Sequence, residues 1–105
     1  MTDILAPDDC TTMTEVRAGV DATDRAIGAL LSVRFGYMRA AARIKPDRSH
    51  VRDEARKAEV IASAVADARA GDWPEPLAAT LWELLVEASI AYEMAHFDAK
   101  AEAGS

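Results

Sequence analysis

The stretch that decides the fold is TMTEVRAGVDATDRAIGALLSVRFGYMRAAARI, residues 12–44. It contains no proline, opens on a threonine with Glu15 three residues on in a capping-box pattern, and stops before Pro46. Apolar side chains recur at three- and four-residue steps, which predicts one helix of about 48 Å. A compact domain of this size has a radius of gyration of about 13 Å, so we expect an intertwined homodimer. The alternative is a helix broken near Gly28 or Gly36 in a monomeric bundle.

The rest of the chain predicts two further helices and no strand, because alternation of polar and apolar residues is absent. The fold class is therefore all-α, with a long N-terminal helix, a short middle helix and a C-terminal helix. We expect the second helix over about residues 52–69, and the third from residues 74–76 to about residue 100. The predicted organisation is an N-terminal tail (1–11), a single helical domain (12–100) and a disordered tail (101–105).

Composition excludes several classes of protein. The chain of 105 residues has 12 Lys+Arg against 18 Asp+Glu and a net charge of -6, which disfavours binding to nucleic acid or to a membrane surface. The single Cys10 cannot form an internal disulfide, and no Cys/His pair has zinc-ligand spacing, so we expect no metal. A signal peptide and a run of about 18 apolar residues are both absent, so we expect a soluble, cytoplasmic protein.

Charged side chains interrupt the apolar stripe of the long helix. Arg17, Asp24, Arg34 and Lys45 recur in step with Met13, Val20, Ile27, Leu31 and Met38. An unpaired buried cation costs several kcal/mol, so three of them in one stripe favour a small anionic ligand between helices. Alternatively, the charged groups lie at the edges of the stripe or pair with one another.

Helix geometry sets which of these cations can share one ligand. Arg34 and Lys45 lie about 16 Å apart along the helix, so their long side chains can converge on one small molecule. Arg17 lies about 25 Å from Arg34 and can join them only from the partner chain of an antiparallel dimer.

The other two helices carry further candidates. Arg56 lies four residues before Val60 on the apolar face of the middle helix, so we expect it to point inward, near Asp53. On the C-terminal helix, Ser89 and Glu93 form an i, i+4 polar pair on the flank of the core, and periodicity alone leaves a site and a solvated face equally open. The expected core of that helix is Leu77, Leu81, Leu85, Ala88 and Tyr92.

In order and spacing these residues resemble the all-helical (type II) class of chorismate mutases. The features that match are Arg17, Arg34, Lys45, the pattern V-R-D-x-x-R at residues 51–56, and Ser89 with Glu93 four residues on. The opening P-D-D-C-T at residues 7–11, followed by M-x-x-V-R, and the A-A-x-R-x-K run that ends at Lys45 look most like the isochorismate-pyruvate lyase branch.

The resemblance implies a domain-swapped all-α dimer that catalyses a pericyclic reaction without a cofactor. Arg34 and the partner subunit's Arg17 would bind the two substrate carboxylates, and Lys45 would bind the ether oxygen and a carboxylate. Arg56 would bind the ring carboxylate, while Asp53 and Ser89 would hold hydroxyl and carboxylate groups. Lys45, Glu93 and Arg34 would be the catalytic residues.

Two positions depart from the pattern of the family. Position 93 is Glu where bacterial members commonly have Gln, so we expect Glu93 to act in its protonated form as a hydrogen-bond donor. Lys57 stands where mutases usually have an acidic residue that binds the ring hydroxyl. This lysine indicates the lyase branch, a different chorismate derivative, or a solvated side chain facing outward, and we favour the last.

The resulting hypothesis is a chorismate mutase that converts chorismate to prephenate. The alternative is an isochorismate-pyruvate lyase that yields salicylate and pyruvate: the N-terminal segment favours the lyase, whereas Asp53 and Glu93 favour the mutase. A second alternative is a non-enzymatic helical dimer that binds another protein through its apolar stripe.

Overall fold

The computed structural model describes residues 4–104, so residues 1–3 and 105 of the two predicted tails lie outside the described residues. Three α-helices occur in this part of the chain, and no strand: α1 (Met13–Ile44), α2 (Glu54–Gly71) and α3 (Glu75–Ala103). Short 3-10 helices cover Pro7–Asp9 and Arg48–His50. The predicted all-α class with three helices is confirmed.

The chain divides into two compact units, one ending at Gly36 and the other beginning at Tyr37. α1 passes through this boundary as one continuous helix, so the break expected in the alternative near Gly28 or Gly36 does not occur. The single domain over residues 12–100 stays a prediction.

The N-terminus of α1 is held by a reciprocal cap. The Glu15 backbone N–H donates to Thr12 Oγ1 at 3.2 Å, and Glu15 Oε1 accepts from the backbone N–H groups of Thr12 and Thr11 at 3.0 and 2.9 Å. These bonds favour the ionised carboxylate and lower the pKa of Glu15. The predicted capping box is confirmed, and the helix begins within one residue of the predicted start.

The described part of the N-terminal tail belongs to the first unit. Ile4, Leu5, Pro7 and Cys10 line a groove of about 450 Å³ together with residues of α1 that include Val16. The segment therefore adds apolar side chains to the first unit, and the predicted division of the chain at residue 11 stays a prediction.

α2 begins two residues later than predicted, because Asp53 caps the helix from outside. The Asp53 side chain accepts a hydrogen bond from the backbone N–H of Arg56 at 3.0 Å. After the last helical residue, Gly71, Asp72 adopts the left-handed conformation with φ 59°, which aspartate tolerates better than most residues. The backbone N–H of Trp73 then donates to the Ala68 carbonyl at 3.0 Å, which closes the turn.

Small side chains form the contact between α2 and α3. Ala64, Ala68 and Ala78 are buried together, and Trp73 and Trp82 pack against them. The absence of larger side chains at these three positions lets the two helices approach closely, and the tryptophans cover the alanine cluster.

The buried stripe of α3 differs from the predicted one. Its buried residues are Ala78, Val86, Ser89, Glu93 and Phe97. Within one chain the predicted core is wrong at Leu77 and Leu81, which are 48% and 44% exposed. α3 is apolar around most of its circumference, so periodicity could not select the face that meets α2.

A network of ion pairs also ties the start of α2 to α3. Lys57 Nζ donates to Glu83 Oε1 and Glu87 Oε2 at 2.8 and 2.9 Å, and Arg52 pairs with Glu87 at 2.8 Å. The side chain of Lys57 is only 16% exposed, so the expected outward, solvated lysine is wrong. The two carboxylates raise the pKa of Lys57, and the bonds from Arg52 and Lys57 lower the pKa of Glu87 to about 2.

Replacement of Glu87 should change how the free energy of unfolding depends on pH, because Glu87 is the carboxylate shared by Arg52 and Lys57. A carboxylate with a lowered pKa stabilises the fold above its ordinary value of 4.5, and this contribution is lost as the pH falls from there towards about 2. We expect Glu87→Gln to lower the free energy of unfolding at neutral pH and to weaken its decline below about pH 4.5. Urea denaturation followed by circular dichroism across this range measures both effects.

Glu59→Gln is the matched control, because Glu59 pairs only with exposed Arg56 at 3.3 Å. An equal loss of stability in both variants at neutral pH would contradict a specific role for the network.

Candidate functional site

Lys45 and Glu93 meet inside the second unit. Lys45, directly after the end of α1, donates a hydrogen bond from Nζ to Glu93 Oε2 of α3 at 2.7 Å. The Glu93 side chain is 6% exposed and that of Lys45 is 30% exposed. Two residues predicted to be catalytic are therefore in contact, with the carboxylate buried and the ammonium partly open to solvent.

The residues around this pair explain its position. The backbone N–H of Lys45 donates to the Ala41 carbonyl at 2.9 Å, so the residue keeps the helical direction of α1. Ala42, Val51 and Phe97 form a buried cluster beside it. This cluster packs the end of α1 and the following connection against the part of α3 that carries Glu93.

Ser89 lies one turn before Glu93 on the buried face of α3. Its hydroxyl donates to the Leu85 carbonyl at 2.6 Å. Both members of the polar pair are buried in this chain, so the alternative of a solvated face is wrong. The pair forms a polar strip within an otherwise apolar face.

In the contact with Lys45, Glu93 Oε2 accepts and the lysine ammonium donates. The protonated Glu93 expected from the sequence stays a prediction. The geometry places the Lys45 ammonium, a cationic hydrogen-bond donor, beside the buried carboxyl group of Glu93. The Lys45 ammonium suits electrostatic stabilisation of an oxygen that gains negative charge.

Asp53 and Arg56 lie together at the N-terminus of α2, but Arg56 does not point inward as expected. Its side chain is 69% exposed and pairs with Glu59 at 3.3 Å. α2 meets α3 through Lys57 and, further along, Ala64. Because neighbouring residues of a helix are rotated by about 100°, Arg56 lies off this face.

Arg17 and Arg34 belong to the first unit. Arg17 is exposed, whereas Arg34 is half-buried, and partial burial lowers the pKa of its guanidinium. The apolar residues of the same stripe are largely uncovered in this chain: Met13, Val20, Ile27 and Leu31.

Sequence reasoning missed two side chains near the Lys45–Glu93 pair. Arg39 Nη1 donates to the Tyr92 hydroxyl at 2.8 Å, and Lys100 Nζ donates to backbone carbonyls at the end of α1. Both contacts join residues more than fifty positions apart, so no local spacing in the sequence signals them. Among residues 4–104 there is no group of three His, Cys, Asp or Glu side chains that could hold a metal ion.

Comparison with known proteins identifies a family. A family model described as chorismate mutase type II matches residues 16–94, about three-quarters of the chain. The matched range contains all the predicted site residues and ends before Lys100. No curated protein matches the chain significantly. None of the helices in the described residues is long and apolar enough to cross a membrane.

The ion pair predicts a non-additive pattern of stability. Lys45→Met leaves the Glu93 carboxylate buried without its cation, so we expect a loss of about 1–3 kcal/mol in the free energy of unfolding. The double variant Lys45→Met/Glu93→Met removes both charges, and we expect it to be more stable than Lys45→Met alone. Urea denaturation of the two variants and of Glu93→Met completes the cycle, and additive losses would contradict the coupling.

Proposed function

Because the chain belongs to the type II chorismate mutase family, we propose that it catalyses the rearrangement of chorismate to prephenate. The observation that carries this proposal is the contact of Lys45 with buried Glu93 at 2.7 Å. A pericyclic rearrangement needs no nucleophile and no cofactor. It needs the substrate held in a compact conformer and donors directed at the breaking bond.

Lys45 is the donor to the ether oxygen in this mechanism. Negative charge grows on that oxygen as the C–O bond breaks, so an ammonium beside it stabilises the transition state more than the bound substrate. Its partial burial strengthens this effect, because little water competes for the oxygen. Bound substrate replaces Glu93 as the partner of Lys45, and Glu93, protonated from solvent, donates a second hydrogen bond to the ether oxygen.

The substrate is a dicarboxylate, and the arginines supply its counter-charges. Arg34 binds one carboxylate, and its partial burial leaves the guanidinium less hydrated than a surface arginine. Arg56 binds the ring carboxylate. Its pair with exposed Glu59 is of a kind that contributes little to stability, so this arginine can exchange partners at low cost. Asp53 and Ser89 orient hydroxyl and carboxylate groups.

The active protein is a homodimer in this proposal, with the partner subunit's Arg17 completing each site. The supporting observation is the amount of apolar surface that one chain leaves open. Large exposed side chains on α1 are Met13, Val16, Val20, Ile27, Leu30, Leu31 and Val33, and those on α3 are Leu77, Leu81 and Leu84. Burial of this surface against a second copy would contribute the hydrophobic stabilisation that the single chain lacks.

Isochorismate-pyruvate lyase is the second candidate function, and Lys57 is the observation that favours it. Its ammonium is bound by Glu83 and Glu87, so this position offers no acidic group to the ring hydroxyl of chorismate. The cations proposed to bind substrate are common to both reactions, so only the products separate them.

The decisive assay offers chorismate and isochorismate in parallel to the purified protein and quantifies prephenate and salicylate. We expect prephenate, and we expect Lys45→Ala to lower kcat/KM by a factor on the order of 100 or more. Arg69→Ala is the control, because Arg69 pairs with Glu75 on the exposed surface. Salicylate as the main product would favour the lyase. Wild-type activity in Lys45→Ala would contradict the proposed site.

The dimer has its own test in light scattering. We expect the mass of two chains for the wild type and a shift towards one chain in Ile27→Asp, because a carboxylate in an apolar interface loses its hydration. Ala29→Asp places the same charge elsewhere on α1 and is the comparison variant. A monomeric wild type that is fully active would contradict the shared site.

A further inference from the structure

The end of α1 is bound by a lysine that the proposed mechanism does not use. Lys100 Nζ of α3 donates to the Ala42 carbonyl at 2.8 Å, to the Lys45 carbonyl at 3.0 Å and to the Arg43 carbonyl at 3.5 Å. The last carbonyls of a helix have no partner within the helix and carry partial negative charge. One ammonium therefore binds several of these groups at once.

The same lysine is itself held in place. Its Nζ lies 4.2 Å from the centre of the Phe97 ring, and Phe97 is buried with Ala42 and Val51. On the far side of Pro46, Arg48 Nε donates to Asp98 Oδ1 of α3 at 2.9 Å. Residues on both sides of Pro46 are thus hydrogen-bonded to α3, at Lys100 before the proline and at Asp98 after it.

Two contacts from α3 converge on Lys45. Glu93 accepts from its ammonium at 2.7 Å and Lys100 donates to its carbonyl at 3.0 Å. Glu93 and Lys100 are seven residues apart on one continuous helix, so they lie two turns apart on the same side. Lys45 is held at its backbone and at its side chain by a single rigid element.

We propose that Lys100 is a positioning residue for Lys45. By binding the carbonyl end of α1, it sets the backbone from which the Lys45 ammonium reaches the reacting oxygen. This inference rests on the proposed function for its kinetic consequence, and its structural consequence is independent of that function.

The test compares Lys100→Met, which keeps an unbranched side chain but removes the ammonium, with Lys100→Arg, which keeps the charge and the donors. We expect Lys100→Met to lower kcat on chorismate about tenfold with a much smaller change in KM, because displacement of a transition-state donor acts on the chemical step. Lys100→Arg should recover most of the loss. Arg69→Met removes a cation from the α2–α3 surface and should keep the wild-type kcat.

A double variant separates positioning from general support of the fold. In a Lys45→Met background, Lys100→Met should cause no further loss of kcat, since the group it positions is gone. Equal fold losses in both backgrounds, or a wild-type kcat in Lys100→Met, would overturn the proposal. If Lys100→Met does not fold, Lys100→Gln, which keeps an uncharged NH2 donor group, replaces it in the same cycle.

The NMR signal of the Lys45 ammonium tests the positioning role of Lys100 separately from the proposed mutase activity. The side-chain ammonium of Lys45, hydrogen-bonded to Glu93, is observable by nitrogen-15 NMR, and we expect its signal to shift or broaden in Lys100→Met but not in Arg69→Met. A wild type that leaves chorismate unchanged while this shift occurs refutes the proposed function and supports the positioning. An active wild type with an unshifted Lys45 signal in Lys100→Met refutes the positioning.

Discussion

A buried carboxylate requires a cation, and in this chain the requirement determines how α1 ends. Glu93 has a 6% exposed side chain in a largely apolar face of α3, where an unpaired carboxylate would cost several kcal/mol. Lys45 supplies the opposite charge from the residue after α1. This contact constrains the path of the chain. The end of α1, Pro46 and the connection to α2 must place the Lys45 ammonium beside the Glu93 carboxylate.

α3 can serve as the rigid reference for this arrangement because α2 holds it independently. The alanine cluster of Ala64, Ala68 and Ala78 provides close apolar contact, and Lys57 joins the start of α2 to Glu83 and Glu87. These contacts lie on the part of α3 up to Glu87, whereas the bonds to the last turns of α1 and to Lys45 come from Tyr92, Glu93 and Lys100. One helix therefore carries two separate sets of contacts along its length, and neither displaces the other.

Sequence predicted the elements better than the contacts between them. The proline-free run with its Glu15 cap specified α1 almost to the residue, since capping and proline act locally. The buried face of α3 was not predictable, because leucines on several sides of the helix give no single stripe. The burial of Lys57 and the role of Lys100 depend on carboxylates and carbonyls of other elements, which no spacing within one helix reveals.

The proposed mechanism uses charge without a general base or a nucleophile. An ion pair that is buried on one side and open on the other can exchange its carboxylate partner for an anionic ligand without creating a bare charge, since the lysine stays paired throughout. In the proposed mechanism Glu93 then acts in its protonated form, as a donor instead of an acceptor. A single exchange of partners at Lys45 would thus prepare both groups for an oxygen that gains negative charge, and this requires that the backbone of Lys45 remain fixed while its side chain changes partner.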